Sequence, residues 1–119
     1  MEKAGKFWGN TSPLFNKNNV EIHRLEGVKG GYSSKHLHKA KYNMFFVESG
    51  SIKIVTWKDA SGMPDSTVLM AGDTCTVPPG LYHKFIVEEP CVVYEIYWVE
   101  LDPHDIVRKD SGGLNDCND

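Results

Sequence analysis

The stretch GGYSSKHLHKAKYNMFFVESG, residues 30–50, contains two of the five histidines of this 119-residue chain. His36 and His38 are two positions apart, so in an extended segment their side chains lie on the same face. Two neighbouring imidazoles repel each other when both are charged, whereas neutral imidazoles can share one metal ion. The pair alone is a weak signal, because a His-x-His sequence also occurs in strands by chance. It predicts a metal site only if further ligands converge on it.

A third histidine follows a turn in the second half of the chain, in GDTCTVPPGLYHKFIV, residues 72–87. Pro79 and Gly80 suit the central positions of a type II turn, in which glycine adopts a positive φ. This turn fixes the start of the next strand and hence the direction of His83. Three imidazoles from two segments predict a metal site that leaves positions open for water or substrate. The alternative is a pocket without metal, in which the histidines only make hydrogen bonds.

The rest of the chain predicts an all-β protein. Short runs rich in Val, Ile, Tyr, Phe, Trp and Thr are separated by Gly, Pro, Asn and Asp. This pattern predicts strands over residues 20–25, 42–48, 51–57, 67–70, 74–77, 84–87 and 92–99. The Ser49-Gly50 pair predicts a hairpin between the second and third of these strands. One or two helical turns are expected over 102–109. Short strands at regular spacing favour a sandwich or barrel.

Composition limits the class of protein. The length suits a single domain, and 40% hydrophobic with 24% charged residues is ordinary for a soluble globular protein. A net charge of −3 without a basic cluster argues against a nucleic-acid partner. No apolar run is long enough to span a bilayer, and the first ten residues lack the apolar region of a signal peptide. We therefore expect a cytoplasmic protein without a membrane partner.

The two histidine segments resemble the two motifs of the cupin family. The first motif is Gly, five residues, His-x-His, three or four residues, Glu, six residues and Gly. This chain matches it from Gly30 to Gly50, except that Asn43 stands in place of the glutamate. The second motif is Gly, five residues, Pro-x-Gly, two residues, His, three residues and Asn. It matches from Gly72, except that Val87 replaces the closing asparagine. The resemblance implies a small single-domain cupin of the cupin 2 type, which is a double-stranded β-helix or jelly-roll barrel.

The same resemblance implies that His36, His38 and His83 hold a divalent transition metal, which is iron, zinc, nickel or manganese. Asn43 offers a carbonyl dipole instead of a carboxylate. It either ligates the metal directly or supports a ligand through a hydrogen bond. Without an anionic ligand, the ion keeps more of its charge and favours an anionic substrate. Cupins that use three histidines without the glutamate include thiol dioxygenases.

The C-terminal sequence YEIYWVELDPHDIVR, residues 94–108, is similar to the end of the cupin domain of type II mannose-6-phosphate isomerases. The specific match is DIVR at 105–108. In the first motif, however, the glutamine and glutamate of that family are replaced by His36 and Asn43. Its arginine is replaced by Lys41. This similarity indicates common descent more than a shared activity.

Three further polar residues are candidates for catalysis or substrate contact: Glu95, Tyr82 and Lys41. Glu95 interrupts the apolar run CVVYEIYWV, residues 91–99. Both faces of that strand are largely apolar, so alternation does not decide whether Glu95 points to solvent or to a pocket. His23 is expected to be a strand residue without a special role.

We expect residues 20–109 to form the barrel, residues 1–19 to pack on the barrel or on a partner subunit, and residues 110–119 to form a frayed tail. One functional hypothesis is a small metal-dependent enzyme, oxygenase-like or sugar-phosphate isomerase-like. Another is a non-catalytic module that binds a small ligand or sugar. A third is a structural barrel without metal. Resemblance to other small cupins favours a homodimer.

Overall fold

The computed structural model describes residues 4–58, 62–100, 104–105, 107–109 and 111–114. Within these ranges the chain forms seven strands: β1 (Ala4–Lys6), β2 (Gly9–Lys17), β3 (Val20–Gly27), β4 (Tyr42–Trp57), β5 (Pro64–Met70), β6 (Thr74–Val77) and β7 (Tyr82–Trp98). Every pair of strands among the described residues is antiparallel. Such ladders satisfy the backbone hydrogen bonds of these strands.

The two longest strands, β4 and β7, pair with each other along most of their length. Their pairing shifts register between Val47 and Ile52, and such irregularities bend a strand. On one side of the bend, β3 and β6 flank the first half of β4 and the second half of β7. On the other side, the second half of β4 lies between β5 and the first half of β7. The bend therefore divides the sheet into two halves.

Alternate side chains of the two halves point into one apolar core. Within β4, Phe45 and Val47 from one half and Ile52 and Ile54 from the other are each at most 1% exposed. They pack with buried residues of the other strands: Leu25, Leu69, Val77, Phe85, Val87, Cys91 and Val93. The two halves thus face each other, and the predicted all-β jelly-roll barrel is confirmed.

The hairpin predicted at Ser49-Gly50 is wrong, because β4 continues through both residues. Gly50 has a φ of 78°. A Cβ atom there would lie 2.0 Å from the carbonyl oxygen of Pro90. Glycine is present because the backbone of β7 passes directly against it, and the residues that resemble a turn form the bend of β4. Likewise, the strands predicted over 84–87 and 92–99 are two halves of β7.

The segment from Gly30 to His38 runs beside the first half of β7 without forming a regular strand. The backbone amide of His36 donates to the carbonyl of His83 at 3.0 Å, and that of His83 donates back at 2.8 Å. The Gly80 amide donates to the carbonyl of His38 at 2.7 Å. These hydrogen bonds hold the two histidine-bearing segments side by side.

The N-terminal segment contains two strands that the sequence analysis did not predict. β1 pairs with β2, and β2 pairs with β3, so both extend one half of the sheet. The strand signal is weak because β2, GNTSPLFNK, has few β-branched residues and a largely exposed surface. Trp8 packs edge-on against Phe85, with ring centroids 5.0 Å apart. Part of the segment therefore contacts the barrel of its own chain.

Two predictions concern the C-terminal end. In the range 102–109, residues 104–105 and 107–109 are not helical, and the others lie outside the described residues. In the range 110–119, residues 111–114 are exposed and irregular, and the others, including Cys117, lie outside the described residues. No part of the chain that the structure describes is a helix long and apolar enough to cross a membrane.

Candidate metal centre

The structure brings together the three histidines that the sequence proposes as metal ligands. The ring centroid of His36 lies 4.5 Å from that of His83 and 5.1 Å from that of His38, and the remaining pair is 5.4 Å apart. Each ring offers one nitrogen, and these nitrogens all lie within 4.8 Å of one another. His83 is buried, and the other two rings are partly buried. The three side chains form one compact cluster, called here the histidine triad.

Backbone carbonyl groups fix the orientation of two of the three rings. The Nδ1 atom of His36 lies 2.8 Å from the oxygen of Ser34, and that of His83 lies 3.0 Å from the oxygen of Leu81. Because a carbonyl oxygen only accepts, each Nδ1 carries the proton and each Nε2 keeps its lone pair. The Nε2 atoms of His38 and His83 are buried and have no hydrogen-bond partner among the described residues. Unpartnered lone pairs in a buried imidazole cluster fit a bound metal ion.

The environment keeps two of these rings neutral. Burial, together with charge repulsion from His36, Lys41 and His83, lowers the pKa of His38 from 6.5 to about 4. Burial also lowers the pKa of His83, although its hydrogen bond to the Leu81 carbonyl acts in the opposite direction. Only a neutral imidazole can ligate a metal. Near neutral pH both rings are therefore in the state that ligation requires.

Asn43 lies on the enclosed face of β4, in register with Val77 of β6 and Tyr97 of β7. Its side chain is 0% exposed. Neither its amide oxygen nor its amide nitrogen has a hydrogen-bond partner within the described part of the chain. A buried amide without partners is costly. The Asn43 amide nevertheless lies close enough to the Glu95 carboxylate to oppose the rise of its pKa, so its contact with Glu95 is weak and its carbonyl oxygen has no partner among the described residues.

A cavity of about 430 Å³ opens beside the triad. Its apolar wall is formed by Trp8, Phe45 and Phe85. Its polar wall carries His23, His36, Glu95 and Tyr97, together with the hydroxyl groups of Thr11, Ser33 and Ser34. None of these lining residues is a lysine or an arginine. The volume suits a small molecule.

Glu95 points into this cavity, which the alternation of β7 alone does not reveal. The hydroxyl of Tyr97 donates a hydrogen bond to its carboxylate. Burial raises the pKa of Glu95, and the Tyr97 hydroxyl, His23, His36 and the Asn43 amide act in the opposite direction. Burial and the Glu95 carboxylate together raise the pKa of Tyr97. A carboxyl group with a raised pKa beside the triad is placed where it can exchange a proton with a bound molecule.

The two other candidate polar residues do not line the cavity. Tyr82 is 47% exposed and points to the outside of β7, where the Lys35 ammonium lies 5.8 Å from its ring centroid. The Lys41 ammonium lies 4.2 Å from the ring centroid of Tyr97 and 3.8 Å from the Glu21 carboxylate. Lys41 therefore lies close to Tyr97, a residue of the cavity wall, but Lys41 itself does not line the cavity.

Sequence reasoning missed the role of His23 in forming the cavity. Its ring lies edge-on to that of Tyr97, with centroids 5.7 Å apart, and it is in register with Glu95. It shares the inward face of β3 with the buried Leu25, which is two residues away. The alternation of side chains along β3 was therefore the sequence signal from which the inward position of His23 could have been predicted. The register that places His23 opposite Glu95 depends on strand pairing and is not readable from one strand.

Comparison with known proteins identifies the family. A sequence model of the Cupin_2 family, described as Cupin domain, matches residues 24–97. No curated relative matches the sequence. The matched residues include the whole histidine triad.

Three similar solved structures illustrate the fold. KdgF from Halomonas sp. superposes with a TM-score of 0.67 at 15% identity, over 78% of this chain and 80% of that chain. A cupin-2 domain containing protein from Shewanella frigidimarina gives 0.58 at 24% identity, over 75% and 80%. The Lactobacillus farciminis oxalate decarboxylase formate complex gives 0.72 at 18% identity, over 82% of this chain and 30% of that chain. At these identities the likeness concerns the fold.

Proposed function

Since this chain belongs to the cupin family, we propose that its histidine triad binds a divalent transition metal through the Nε2 atoms of His36, His38 and His83. One observation carries this proposal. Two of the three Nε2 atoms are buried without a partner among the described residues, while carbonyl groups hold the Nδ1 protons of His36 and His83. Iron, zinc, nickel and manganese are the candidate ions, and imidazole suits zinc, iron and nickel in particular.

We further propose that the chain is a small metal-dependent enzyme that acts on an anionic small molecule, in an oxygenase-like or sugar-phosphate isomerase-like reaction. Three neutral imidazoles leave a divalent ion with its full charge. No lysine or arginine is among the residues that line the cavity, so the ion would be the main attraction for an anion there. When bound, the metal supplies a Lewis acid that polarises an oxygen of the ligand. The similarity of residues 105–108 to type II mannose-6-phosphate isomerases is the reason for including an isomerase-like reaction in this proposal.

Within this function, Glu95 is the residue best placed to transfer a proton. It lines the cavity together with His36. The Tyr97 hydroxyl fixes the direction of its carboxylate. Burial raises its pKa and so favours the neutral carboxyl group, which repels an anionic ligand less than a carboxylate does. Asn43, whose amide is buried next to Glu95, would bind either the metal or the ligand.

A non-catalytic module that binds a small ligand or sugar is the alternative. The cavity favours it in one respect, because an aromatic wall of Trp8, Phe45 and Phe85 faces hydroxyl, imidazole and carboxylate groups. A ligand with one apolar face and several hydroxyl groups fits such a lining without any bond being broken. The two functions differ in turnover and in oxygen uptake.

Metal analysis of untagged protein tests the proposal. We expect about one ion per chain in the purified protein, and a loss of most of that ion in His36→Ala and His83→Ala. His23→Ala is the matched control, because His23 lines the same cavity but does not belong to the triad. The proposal is wrong if the triad variants keep the metal content of the control. Oxygen uptake by the iron-loaded protein then separates an oxygenase-like reaction from the other functions.

A homodimer and a cytoplasmic location are also proposed. A measurement of molecular size tests the homodimer, and cell fractionation tests the location. Neither measurement depends on metal binding.

A further inference from the structure

The turn between β1 and β2 consists of two aromatic residues, Phe7 and Trp8. Lys6 pairs with Gly9, so these two residues form the whole connection between the strands. Two-residue turns usually contain Asn, Asp or Gly, because those residues adopt the required backbone conformations easily. Phe7 is fully exposed, whereas Trp8 is partly buried and packs against the core. Turn formation alone does not explain an indole at this position.

Backbone contacts fix the position of Trp8 on the barrel. Its carbonyl accepts a hydrogen bond from the Val28 amide at 2.8 Å. A Cβ atom at Gly31 would lie 2.6 Å from the Cα atom of Trp8, so glycine allows the two backbones to approach each other this closely. Gly31 is itself held on β7, since its carbonyl accepts a hydrogen bond from the Val87 amide at 2.7 Å. The indole ring therefore has a defined place relative to β7.

A row of aromatic side chains leads from the histidine triad to Trp8. The ring of Phe45 lies edge-on to that of His83, with centroids 6.5 Å apart. The ring of Phe85 lies 6.3 Å from that of Phe45, and the indole of Trp8 lies 5.0 Å from Phe85. Phe45, Phe85 and Trp8 all line the cavity beside the triad and are called here the aromatic row. An apolar group of a ligand held at the triad can pack along this row as far as the indole.

A second cavity, called here the outer cavity, lies on the other side of Trp8. Its volume is about 370 Å³. Besides Trp8, its lining includes Phe7, Val28, Lys29 and Tyr32. Trp8 is the residue that this lining shares with the cavity beside the triad. The indole therefore separates the two cavities.

We propose that Trp8 is a specificity-determining residue, which limits the length of the ligand by closing the end of the aromatic row. The inference rests on the proposed function, in which a metal at the triad attracts an anion, and it names the class of that ligand. The ligand is an organic anion whose charged end lies at the triad and whose short apolar part packs on Phe45 and Phe85. A longer apolar part would meet the indole.

The energetic effect of this limit is large enough to measure. Each methylene group that is buried on binding tightens the affinity by about fourfold. The affinity should rise by this factor with every added methylene until the chain reaches Trp8. Beyond that point the chain has to displace the indole from Phe85, so the gain stops. Removal of the indole joins the two cavities, and the gain should then continue into the outer cavity.

Calorimetric titration of the zinc-loaded protein with straight-chain carboxylates, from acetate to decanoate, tests the inference. We expect the affinity of the wild type to stop rising at an intermediate chain length. That of Trp8→Ala should continue to rise, so that the longest chain binds this variant at least about tenfold more tightly than the wild type. Acetate should bind both proteins equally. Phe7→Ala is the matched control, because Phe7 lines the outer cavity but not the cavity beside the triad, and it should keep the limit of the wild type.

Titration of the metal-free protein with n-alkanols, from ethanol to octanol, repeats the measurement without a charge or a metal. If the limit moves in Trp8→Ala with the alkanols but no carboxylate binds, the role of Trp8 is supported and the proposed metal function is contradicted. Trp8→Leu keeps a smaller apolar side chain and decides the question if near-ultraviolet circular dichroism shows that Trp8→Ala is not folded. The same limit in the wild type and in folded Trp8 variants overturns the inference. Absence of binding in both series also overturns it.

Discussion

At the residue scale, the imidazole of His83 shows how this chain prepares a ligand without any metal present. The carbonyl of Leu81 accepts the Nδ1 proton at 3.0 Å. Burial lowers the pKa of the ring and so disfavours a second proton. The Nε2 lone pair is therefore free and enclosed. The Ser34 carbonyl does the same for the Nδ1 atom of His36. An ion that binds here displaces little protein hydrogen bonding.

Asn43 is a neutral amide at the proposed metal site, where a glutamate would add a negative charge. We expect Asn43→Glu to destabilise the metal-free protein by about 2 kcal/mol or more relative to Asn43→Gln, because a carboxylate would be buried beside the Glu95 carboxyl group. With a divalent metal bound, the order should reverse, since the carboxylate then faces a cation. Thermal unfolding of both variants with and without zinc or manganese measures this difference.

The Gln variant is the control for size, because it adds the same methylene group without the charge. Asn43 is 0% exposed, so both variants are strained equally by the longer side chain. Equal stabilisation of the two variants by metal would show that the position is remote from the ion.

The titration of His38 predicts a pH dependence for the metal-free protein. Burial, with charge repulsion from His36, Lys41 and His83, lowers its folded-state pKa from 6.5 to about 4. The unfolded chain therefore binds more protons in this window, so stability decreases as the pH falls from 6.5 toward 4. The His38→Asn variant has no imidazole at this position, so it should not lose this part of its stability as the pH falls. We expect the urea midpoint of the wild type to decrease relative to that of the variant over this range.

The comparison with His38→Asn is needed because Glu95 acts in the opposite direction. Burial raises its pKa, so the folded chain holds its proton at a higher pH than the unfolded chain does. Its contribution decreases as the pH rises from 4.5 through the raised pKa. Glu95 is present in both proteins, and its effect largely cancels in their difference. Parallel pH profiles for the wild type and His38→Asn would contradict the assignment.

At the element scale, the bend of β4 depends on Gly50. A Cβ there would lie 2.0 Å from the Pro90 carbonyl oxygen, and the φ of 78° disfavours other residues. We expect Gly50→Ala to lower the free energy of unfolding by about 3 kcal/mol. Gly72→Ala is the control, since Gly72 has a φ of 89° but a Cβ there would have no atom within 4 Å. It should cost only about 1 kcal/mol.

Urea unfolding of the two variants separates the clash from the backbone strain that they share. Equal losses would mean that β7 moves away from Gly50 without cost, and the close passage of the two strands would then not define the bend.

Spacing within motifs predicted more of this molecule than local propensity did. The positions of His36, His38 and His83 in two motifs gave the fold and the cluster, because the family spacing reflects how strands meet. Ser49-Gly50 was misread as a hairpin because a bulge and a turn use the same residue types. Tyr97 and His23 were not recognised because their place in the cavity follows from pairing between β3 and β7. Such a register between distant strands cannot be predicted from the sequence of either strand alone.

At the scale of the whole molecule, the two faces of the same strands carry different side chains. The inner face of β7 presents Glu95 and Tyr97 to the cavity, and Tyr94 and Ile96 lie on its outer face. Because side chains alternate strictly along a strand, substitutions one residue apart can affect either surface without the other. The lining of the cavity can therefore be changed without changing the outer surface of β7.

The contact of the N-terminal segment with the barrel is the last feature at this scale. Trp8 packs edge-on against Phe85 at 5.0 Å, and its carbonyl accepts a hydrogen bond from the Val28 amide at 2.8 Å. We expect Trp8→Ala to lower the free energy of unfolding by about 2 kcal/mol, since the side chain is partly buried. Phe7→Ala is the control, because Phe7 is fully exposed and its loss should change stability by less than about 0.5 kcal/mol.

The concentration dependence of this loss distinguishes packing on the barrel from packing on a partner subunit. A contact within one chain destabilises the Trp8→Ala protein by the same amount at every protein concentration. A contact between subunits contributes only in the dimer, so the loss would diminish as the protein is diluted. The Trp8–Phe85 contact within one chain predicts the first result. Unfolding curves of Trp8→Ala and Phe7→Ala that coincide would show that residues 4–17 are not part of the cooperative unit that unfolds with the barrel.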